Sequence, residues 1–240
     1  MKPLKQKRFK WLIIGLSLSF LGPLGEWVLL TMFAQNKGNS ILLSYIYAEF
    51  AALLAFGVFG YLLGSYADRL EKLVITDKLT GLYNRHSIMD RLNEMFNMHQ
   101  RYNEYFSLIL LDLDHFKLVN DTYGHAVGDQ TLIVVSEVIS KEVRGTDHPC
   151  RFGGEEFLIL CPRTNIEEAY NLAERIRMKV MNLRKKELGF SGPQTISAGV
   201  YEVVGDQNTS PTEALSKVDD ALYRAKKGGR NRIVSETKSY

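Results

Sequence analysis

The stretch RFGGEEF, residues 151–157, places two glycines and two carboxylates between segments that favour β-strand. A Gly-Gly pair suits a two-residue turn with positive φ angles, so we predict a β-hairpin with Gly153 and Gly154 at its tip. Side chains alternate across a strand, so Glu155 and Glu156 should leave the tip on opposite faces. Glycine also lets a ligand approach the backbone closely. An ordinary solvated turn with surface acids explains the same seven residues, and the stretch alone does not decide between the two.

The composition is that of a globular chain of 240 residues, 45% hydrophobic and 24% charged. This length accommodates one domain of ordinary size plus additional segments. A formal net charge of +3 is too small to indicate nucleic-acid binding, so we expect no nucleic-acid partner. The two cysteines, Cys150 and Cys161, flank the predicted hairpin without the spacing of a zinc site. A disulfide between neighbouring strands is conceivable, but we expect both thiols to be reduced.

Two apolar stretches, residues 11–33 and 41–64, are each long enough to cross a membrane. We predict a two-helix transmembrane hairpin with a short external loop at 34–40. Five of the residues 1–10 are Lys or Arg, whereas the loop has one Lys, so the positive-inside rule places both ends of the hairpin in the cytoplasm. A signal peptide is the alternative for the first stretch, although it lacks a convincing small-residue cleavage site.

After a helical linker at 65–75, the sequence predicts one domain at 76–237 in which helices alternate with strands. The predicted elements are a helix at 85–104, a buried strand at 106–114, a loop at 115–125, a helix at 126–144, the hairpin, a helix at 166–188, a strand at 194–204, a helix at 211–227 and a strand at 232–235. This order is typical of an α/β (α+β) fold with a mixed or antiparallel central sheet surrounded by helices.

The predicted strand at 106–114 ends in two acids, Asp112 and Asp114, which share one face because they are two residues apart. With Glu155 and a backbone carbonyl, Asp112 would offer the oxygen ligands that Mg²⁺ prefers. Magnesium takes its remaining ligands from water and from substrate phosphates, so these acids indicate a site for a metal and a phosphate. The alternative is that Asp114 only caps the loop that follows.

The segment between the two acidic sites is dense in polar residues and glycines. Lys117 would neutralise a phosphate. Asn120 and Asp129 would read a guanine edge together, because an amide donates to its acceptor atom and a carboxylate accepts from its N–H groups. When each residue is considered alone, a turn residue at Asn120 and a helix cap at His125 are equally good explanations.

Four stretches together resemble the GGDEF domain of diguanylate cyclases. DKLTGLYNR, DLDHFKLVNDTYGHAVGD, RFGGEEF and YRAKKGGRN occur in the family's order and approximate spacing, and the resemblance covers residues 75 to 235. It implies a palm-like central sheet ringed by helices, akin to nucleotidyl cyclases and polymerase palms. The family name has Asp where this chain has Glu155, a change in side-chain length that keeps the carboxylate.

Family members join two GTP molecules into cyclic di-GMP and release two pyrophosphates, and the resemblance implies this activity. By the matching positions, Asp112 and Glu155 would bind Mg²⁺, or Mn²⁺, through carboxylates and Leu113 through its carbonyl. The implied GTP-binding residues are Asn120 and Asp129 at guanine, His125 in the nucleotide pocket, Lys117, Lys226 and Arg230 at the phosphates, and Gly153 and Gly154 beside the bound nucleotide. We assign Glu155 as the base, and Glu156 stays open as the alternative.

Each chain of this family holds one GTP, so the resemblance also implies a homodimer in which two half-sites face each other. Membrane helices and the linker would raise the effective concentration of these half-sites. Together with the predicted hairpin, the resemblance implies a multi-pass protein of the bacterial inner membrane with a cytoplasmic catalytic domain.

Arg144 and Asp147 match the family's RxxD inhibitory site, which implies inhibition by the product, cyclic di-GMP. A surface salt bridge at a helix end is the alternative for this pair. Two other functions are also compatible with the sequence. One is a catalytically inactive domain that binds GTP or cyclic di-GMP, and the other is a membrane scaffold that recruits partners.

Overall fold

The computed structural model describes residues 13, 40–190, 192–205 and 209–236, and these fall into two units that meet between Val74 and Ile75. In the first unit, α1 runs from Ser40 to Leu73. No helix within the described residues combines the length and the apolar character that crossing a membrane requires. The predicted span at 41–64 falls within α1, to which this finding applies, whereas the predicted span at 11–33 lies outside the described residues except at Ile13.

The second unit carries the remaining helices and strands of the described chain. In order, these are β1 (Tyr83–Asn84), α2 (Arg85–Tyr102), β2 (Phe106–Leu113), α3 (Phe116–Tyr123), α4 (His125–Glu142), β3 (His148–Arg151), β4 (Glu156–Pro162), α5 (Ile166–Met181), α6 (Lys185–Leu188), β5 (Ile196–Val203), α7 (Pro211–Lys227) and β6 (Ile233–Glu236). Several helices begin where the sequence supplies a polar cap: Asn84, Asn165 and Ser210 each accept a backbone N–H of the first turn.

The strands form a mixed sheet in the order β1-β3-β4-β2-β5-β6. The inner pairs are antiparallel, whereas the outer strands β1 and β6 pair in parallel with their neighbours. This confirms the predicted mixed α/β fold with helices around a central sheet. Strand β2 lies in the middle, and its Asp112 is opposite Glu156 on β4 and Ser197 on β5. Asp112, near the end of the central strand, therefore lies between the hairpin and β5.

The sheet is covered on both faces, which explains why β2 is an unbroken apolar run rather than an alternating one. Ile109 and Leu111 belong to a core that includes residues of α4 and α5. Leu108 and Leu110 belong to a second core that includes residues of α2 and α7. Asp112 lies two residues after Leu110, so its side chain is on the same face of the sheet, the face covered by α7.

Helix α7 lies close against the sheet at Gly199 on β5. A Cβ at this position would overlap backbone atoms of Val218 and Leu222 on the helix. The glycine therefore allows the helix backbone to approach the strand. The close packing of α7 against β5 determines the position of the last turn of α7, which contains Lys226.

The two cysteines are free and completely buried. Cys150 belongs to the α2 and α7 core, whereas Cys161 belongs to the α4 and α5 core. The sheet separates the two cores, so the structure agrees with the expected reduced thiols. Burial raises the pKa of Cys150 to about 12 and raises that of Cys161 well above its usual value.

Two predictions of secondary structure were wrong. The loop predicted at 115–125 contains helix α3, and the single helix predicted at 166–188 ends at Met181. A new turn, α6, follows, because the carboxylate of Glu187 accepts the N–H of Arg184. A short helix between polar residues has no long apolar period by which it can be recognised in the sequence.

The hairpin tip also differs from the prediction. Residues 152–155 connect the two strands, and the glycines with positive φ among the described residues do not include Gly153 or Gly154. Phe152 donates its N–H to the carbonyl of Glu156, which closes the tip. A connection of four residues reverses the chain without the positive φ angles that a two-residue turn needs.

Candidate functional site

Asp112 is a buried acid at the end of β2, with about 5% of its surface exposed. Its Oδ2 atom lies 2.7 Å from the Nζ atom of Lys226 on α7. Burial raises the pKa of Asp112, although the hydrogen bond and charge of Lys226 act against this rise. The strand end thus holds a carboxylate whose charge is only partly compensated, and which a further cation would stabilise.

Glu155, in the hairpin tip, lies near Asp112 at the end of β2. Its carbonyl accepts the N–H of Leu113, which fixes the tip beside the end of β2. Burial raises the pKa of Glu155, and the negative charge of Asp112 raises it further. Each carboxylate therefore lies in the electrostatic field of the other, which is the arrangement that a shared cation would relieve.

The residues fit a divalent metal at this position. Asp112 and Glu155 supply hard oxygen ligands, and Leu113 with its carbonyl lies directly after Asp112. Across the part of the chain that the structure describes, no three His, Cys, Asp or Glu side chains gather into a complete metal site. Water and substrate oxygens would therefore have to complete the coordination of an ion held here, as they commonly do for magnesium.

Asp114, the second acid of the pair predicted from the sequence, does not serve the metal. Its Oδ1 atom accepts the hydroxyl of Ser197 at 2.7 Å. Its Oδ2 atom accepts the hydroxyl of Thr195 at 2.8 Å and the backbone N–H of Asn231 at 3.0 Å. Both oxygens are occupied, so neither metal binding nor the capping of the following loop describes this residue.

Gly153 allows the second hairpin acid to fold over the tip. A Cβ on Gly153 would overlap the Oε2 atom of Glu156, so a larger residue here would displace that carboxylate from its position over the tip. Gly154 has open space where a side chain would be. The tip thus has one face occupied by Glu156 and one bare stretch of backbone.

Arg151, the first residue of RFGGEEF, has a structural role that was not predicted from the sequence. Its guanidinium donates to the carbonyl of Gly154 at 2.8 Å and to the carboxylate of Asp77 at 3.3 Å. Asp77 also accepts the N–H and hydroxyl of Thr80, and these hydrogen bonds contribute to its lowered pKa. Arg151 therefore joins the DKLTG segment to the hairpin tip. Asp77 and Gly154, the two residues that it contacts, both belong to sequence motifs that were recognised.

The predicted guanine-reading residues lie on α3 and α4. Gly128 brings them together, because a Cβ on Gly128 would overlap the side-chain amide of Asn120. Asn120 therefore lies against the first turns of α4, where Asp129 follows Gly128 and is exposed. His125 is the first residue of α4 and Gly124 is its N-cap, so the alternative of a cap at His125 was wrong.

The predicted phosphate ligands come from two elements. Lys226 contacts Asp112 directly, and the positive charge of Arg230 also lowers the pKa of Asp112. Both residues therefore lie near the paired carboxylates. Lys117 is exposed on α3, one turn before Asn120.

Arg144 and Asp147 form a compact turn after α4. The N–H of Arg144 donates to the Oδ2 atom of Asp147 at 2.7 Å, and the N–H of Asp147 donates to the carbonyl of Arg144. Asp147 is 6% exposed, and its Oδ1 atom has no hydrogen-bond partner among the described residues. The contacts between this pair are made by backbone N–H groups, so the guanidinium of Arg144 forms no salt bridge with Asp147 within the described chain.

A family model described as diguanylate cyclase, GGDEF domain, matches residues 74–232. The response regulator PleD of Caulobacter vibrioides is 37% identical over 175 residues, which cover 70% of this chain and 37% of PleD. The diguanylate cyclase DgcM of Escherichia coli is 39% identical over 169 residues, covering 70% of this chain and 40% of DgcM. The chain thus spans about two fifths of the length of these relatives.

Solved structures give the same result. The GGDEF domain of DgcB from Caulobacter crescentus in complex with c-di-GMP is 34% identical with a TM-score of 0.63, covering 68% of this chain and 95% of the DgcB domain. The active GGEEF domain of a diguanylate cyclase from Vibrio cholerae is 30% identical with a TM-score of 0.60, covering 65% and 98% of the two chains. Sequence motifs, fold and family model agree, and the chain belongs to the diguanylate cyclase GGDEF domain family.

Proposed function

We propose that the chain is a diguanylate cyclase that condenses two GTP molecules into cyclic di-GMP and two pyrophosphates. The observation that carries this proposal is the meeting of Asp112 and Glu155 beside the basic side chains of Lys226 and Arg230. Paired acids next to cations are what a metal-bound triphosphate requires. The hairpin keeps both carboxylates in the sequence RFGGEEF, which favours an enzyme over an inactive nucleotide receptor.

In the proposed reaction, the ribose 3′-hydroxyl of one GTP attacks the α-phosphorus of the other. The new O3′–P bond forms as the bond from that phosphorus to pyrophosphate breaks, and the hydroxyl proton passes to a carboxylate. Glu155 has a raised pKa, which suits a proton acceptor, and Glu156 is the alternative base. Bound Mg²⁺, or Mn²⁺, would stabilise negative charge on the phosphates.

The remaining residues would bind and orient the substrate. Asn120 and Asp129 would read guanine, with His125 beside the base. Lys226, Arg230 and Lys117 would contact phosphate oxygens, and the bare backbone at Gly154 would allow close approach of the nucleotide. One chain offers one such site, so we propose that two chains face each other as a homodimer.

Removing either paired carboxylate tests the proposal. We expect Asp112→Asn and Glu155→Gln to lower turnover of GTP to cyclic di-GMP by about a thousandfold or more, because the metal ligands are lost. Glu167→Gln, a change at an exposed acid on α5, is the matched control and should retain turnover. Product and pyrophosphate are measured with GTP and Mg²⁺, and chelation of the metal should stop both.

The same assay distinguishes the alternatives. A homodimeric enzyme should gain specific activity as its concentration rises, whereas a monomeric enzyme would not. A chain that binds GTP but shows no turnover at any concentration would be a receptor instead. Equal loss in Glu156→Gln and Glu155→Gln would leave the base unassigned, and full activity in Glu155→Gln would overturn its proposed role.

Gly128 provides a second test, because alanine at this position should favour the helix but weaken guanine binding. Gly128→Ala should leave the free energy of unfolding unchanged or raise it by up to about 1 kcal/mol, since alanine favours a helix. The new Cβ should displace Asn120 and lower the preference for guanine about tenfold. Binding of 3′-deoxy-GTP and 3′-deoxy-ATP, which lack the nucleophile and do not react, measures this preference.

Asn120→Ala supplies the control for Gly128. If Gly128 acts through Asn120, the double variant should lose no more guanine preference than Asn120→Ala alone. Additive losses would show that Gly128 acts by another route, and an unchanged preference in Gly128→Ala would contradict the proposed role of Asn120.

We propose that the Arg144–Asp147 turn binds cyclic di-GMP as an inhibitor. The exposed guanidinium of Arg144 can bind a phosphate or a guanine edge in a bidentate manner, while the buried carboxylate of Asp147 holds the turn by accepting the N–H of Arg144. Arg144→Ala should raise the product concentration for half-inhibition at least about tenfold. Arg163→Ala, a change at another exposed arginine, is the control and should leave inhibition unchanged. Unchanged inhibition in Arg144→Ala would contradict the proposal.

We also propose that residues 11–33 and 41–64 anchor the chain in the bacterial inner membrane as a multi-pass protein with a cytoplasmic catalytic domain. The support is the apolar sequence of the two stretches and the basic residues that precede them. After expression in bacteria, the full chain should stay in the membrane fraction through a high-salt and alkaline wash. Recovery in the soluble fraction would contradict the anchor.

A further inference from the structure

The buried carboxylate of Asp114 connects three parts of the domain. It follows β2, it accepts hydroxyls from Thr195 and Ser197 at the start of β5, and it accepts the backbone N–H of Asn231 after α7. Its own carbonyl accepts the side-chain amide of Gln194. A buried carboxylate is retained only where several donors compensate for its desolvation, and these contacts supply them.

The contact to Asn231 holds an unusual turn, residues 228–232. Arg230 and Asn231 both have positive φ angles, of 61° and 46°, in the left-handed region that non-glycine residues rarely occupy. Two such residues in succession persist only where their surroundings fix them. Here the N–H of Arg230 donates to the carbonyl of Ala225, and the N–H of Asn231 donates to Asp114.

A second link secures the same turn from another side. The side-chain oxygen of Asn231 accepts the guanidinium of Arg177 at 2.7 Å. Arg177 is itself held by Glu174, with which it forms an ion pair on α5. The backbone of Asn231 is therefore tied to β2 through Asp114, and its side chain is tied to α5.

This turn carries part of the proposed phosphate site. Arg230 lies within it, and Lys226 precedes it on the last turn of α7. Both side chains lie near Asp112, as the 2.7 Å contact of Lys226 and the electrostatic effect of Arg230 show. Asp112 and Asp114 are two residues apart, so the strand end that holds the metal ligand also fixes the turn opposite it.

We propose that Asp114 is a positioning residue for triphosphate binding, which acts by holding the turn 228–232 through the N–H of Asn231 and so places Arg230 beside Asp112. The inference rests on the proposed function, because it assumes that Arg230 contacts substrate phosphates. Asp114 itself touches neither metal nor substrate. Alanine at this position would remove both acceptor oxygens, so the hydroxyls of Thr195 and Ser197 and the N–H of Asn231 would all lose their partner.

The effect should be confined to the phosphate end of the nucleotide. In Asp114→Ala, we expect the Kd of 3′-deoxy-GTP to rise at least about tenfold, because a displaced Arg230 no longer meets the phosphates. The Kd of 3′-deoxyguanosine monophosphate should change by less than about twofold, because Asn120 and Asp129 still bind guanine. A general loss of folding would instead weaken both ligands alike.

Two changes at Asn231 test the turn without altering Asp114. Asn231→Gly and Asn231→Val both remove the hydrogen bond to Arg177 and both keep the backbone N–H. Glycine adopts a positive φ readily, whereas a β-branched residue resists it. We therefore expect Asn231→Gly to bind 3′-deoxy-GTP within about threefold of the natural chain, and Asn231→Val to lose at least about tenfold.

Amide hydrogen exchange of the full chain gives a readout that does not depend on ligand. Residues 228–232 should exchange faster in Asp114→Ala and Asn231→Val than in the natural chain or Asn231→Gly, while β2 stays protected. If both valine and glycine variants bind like the natural chain, the inference fails and the proposed function stands. If the natural chain binds the triphosphate no better than the monophosphate, the phosphate site and the proposed function fail together.

Discussion

The candidate site depends on negative charge that is concentrated at the end of the central strand, β2. Asp112 comes from the central strand and Glu155 from the hairpin tip. Burial raises the pKa of both carboxyl groups, and the charge of Asp112 raises that of Glu155 further. Such charge is costly unless cations approach, and the fold supplies Lys226 from a helix that lies close to the sheet. Gly199 permits that approach, so packing of the core and chemistry of the site are parts of one constraint.

The mixed α/β fold was predicted from the sequence, and so was the proximity of Asp112 and Glu155. The apolar run of β2 and the motif acids predicted a strand with Asp112 at its end, and the structure places Glu155 beside it. Helix α7 was predicted with its observed bounds, because a Ser cap, an N-terminal proline and a helical period coincide there. These features are local, and local patterns are what a sequence reveals.

The missed features depend on partners distant in the chain. The conformation of Gly153 follows from the length of the hairpin connection, and the role of Asp114 follows from donors more than eighty residues later. Helix α3 is short, and the side chain of Asn120 on it fits only because Gly128 on α4 has no Cβ. No period or motif spacing encodes such contacts, so they appear only when the elements are packed together.

The two buried cysteines have a practical consequence. A thiolate is the reactive form of cysteine, and the raised pKa values of Cys150 and Cys161 keep both thiols protonated at neutral pH. They are the only cysteines of the 240 residues. The natural chain therefore serves without alteration as a background for probes: a cysteine engineered at an exposed position can be coupled to a spin label or fluorophore selectively, and separations between labelled copies can be measured while both native thiols stay in place.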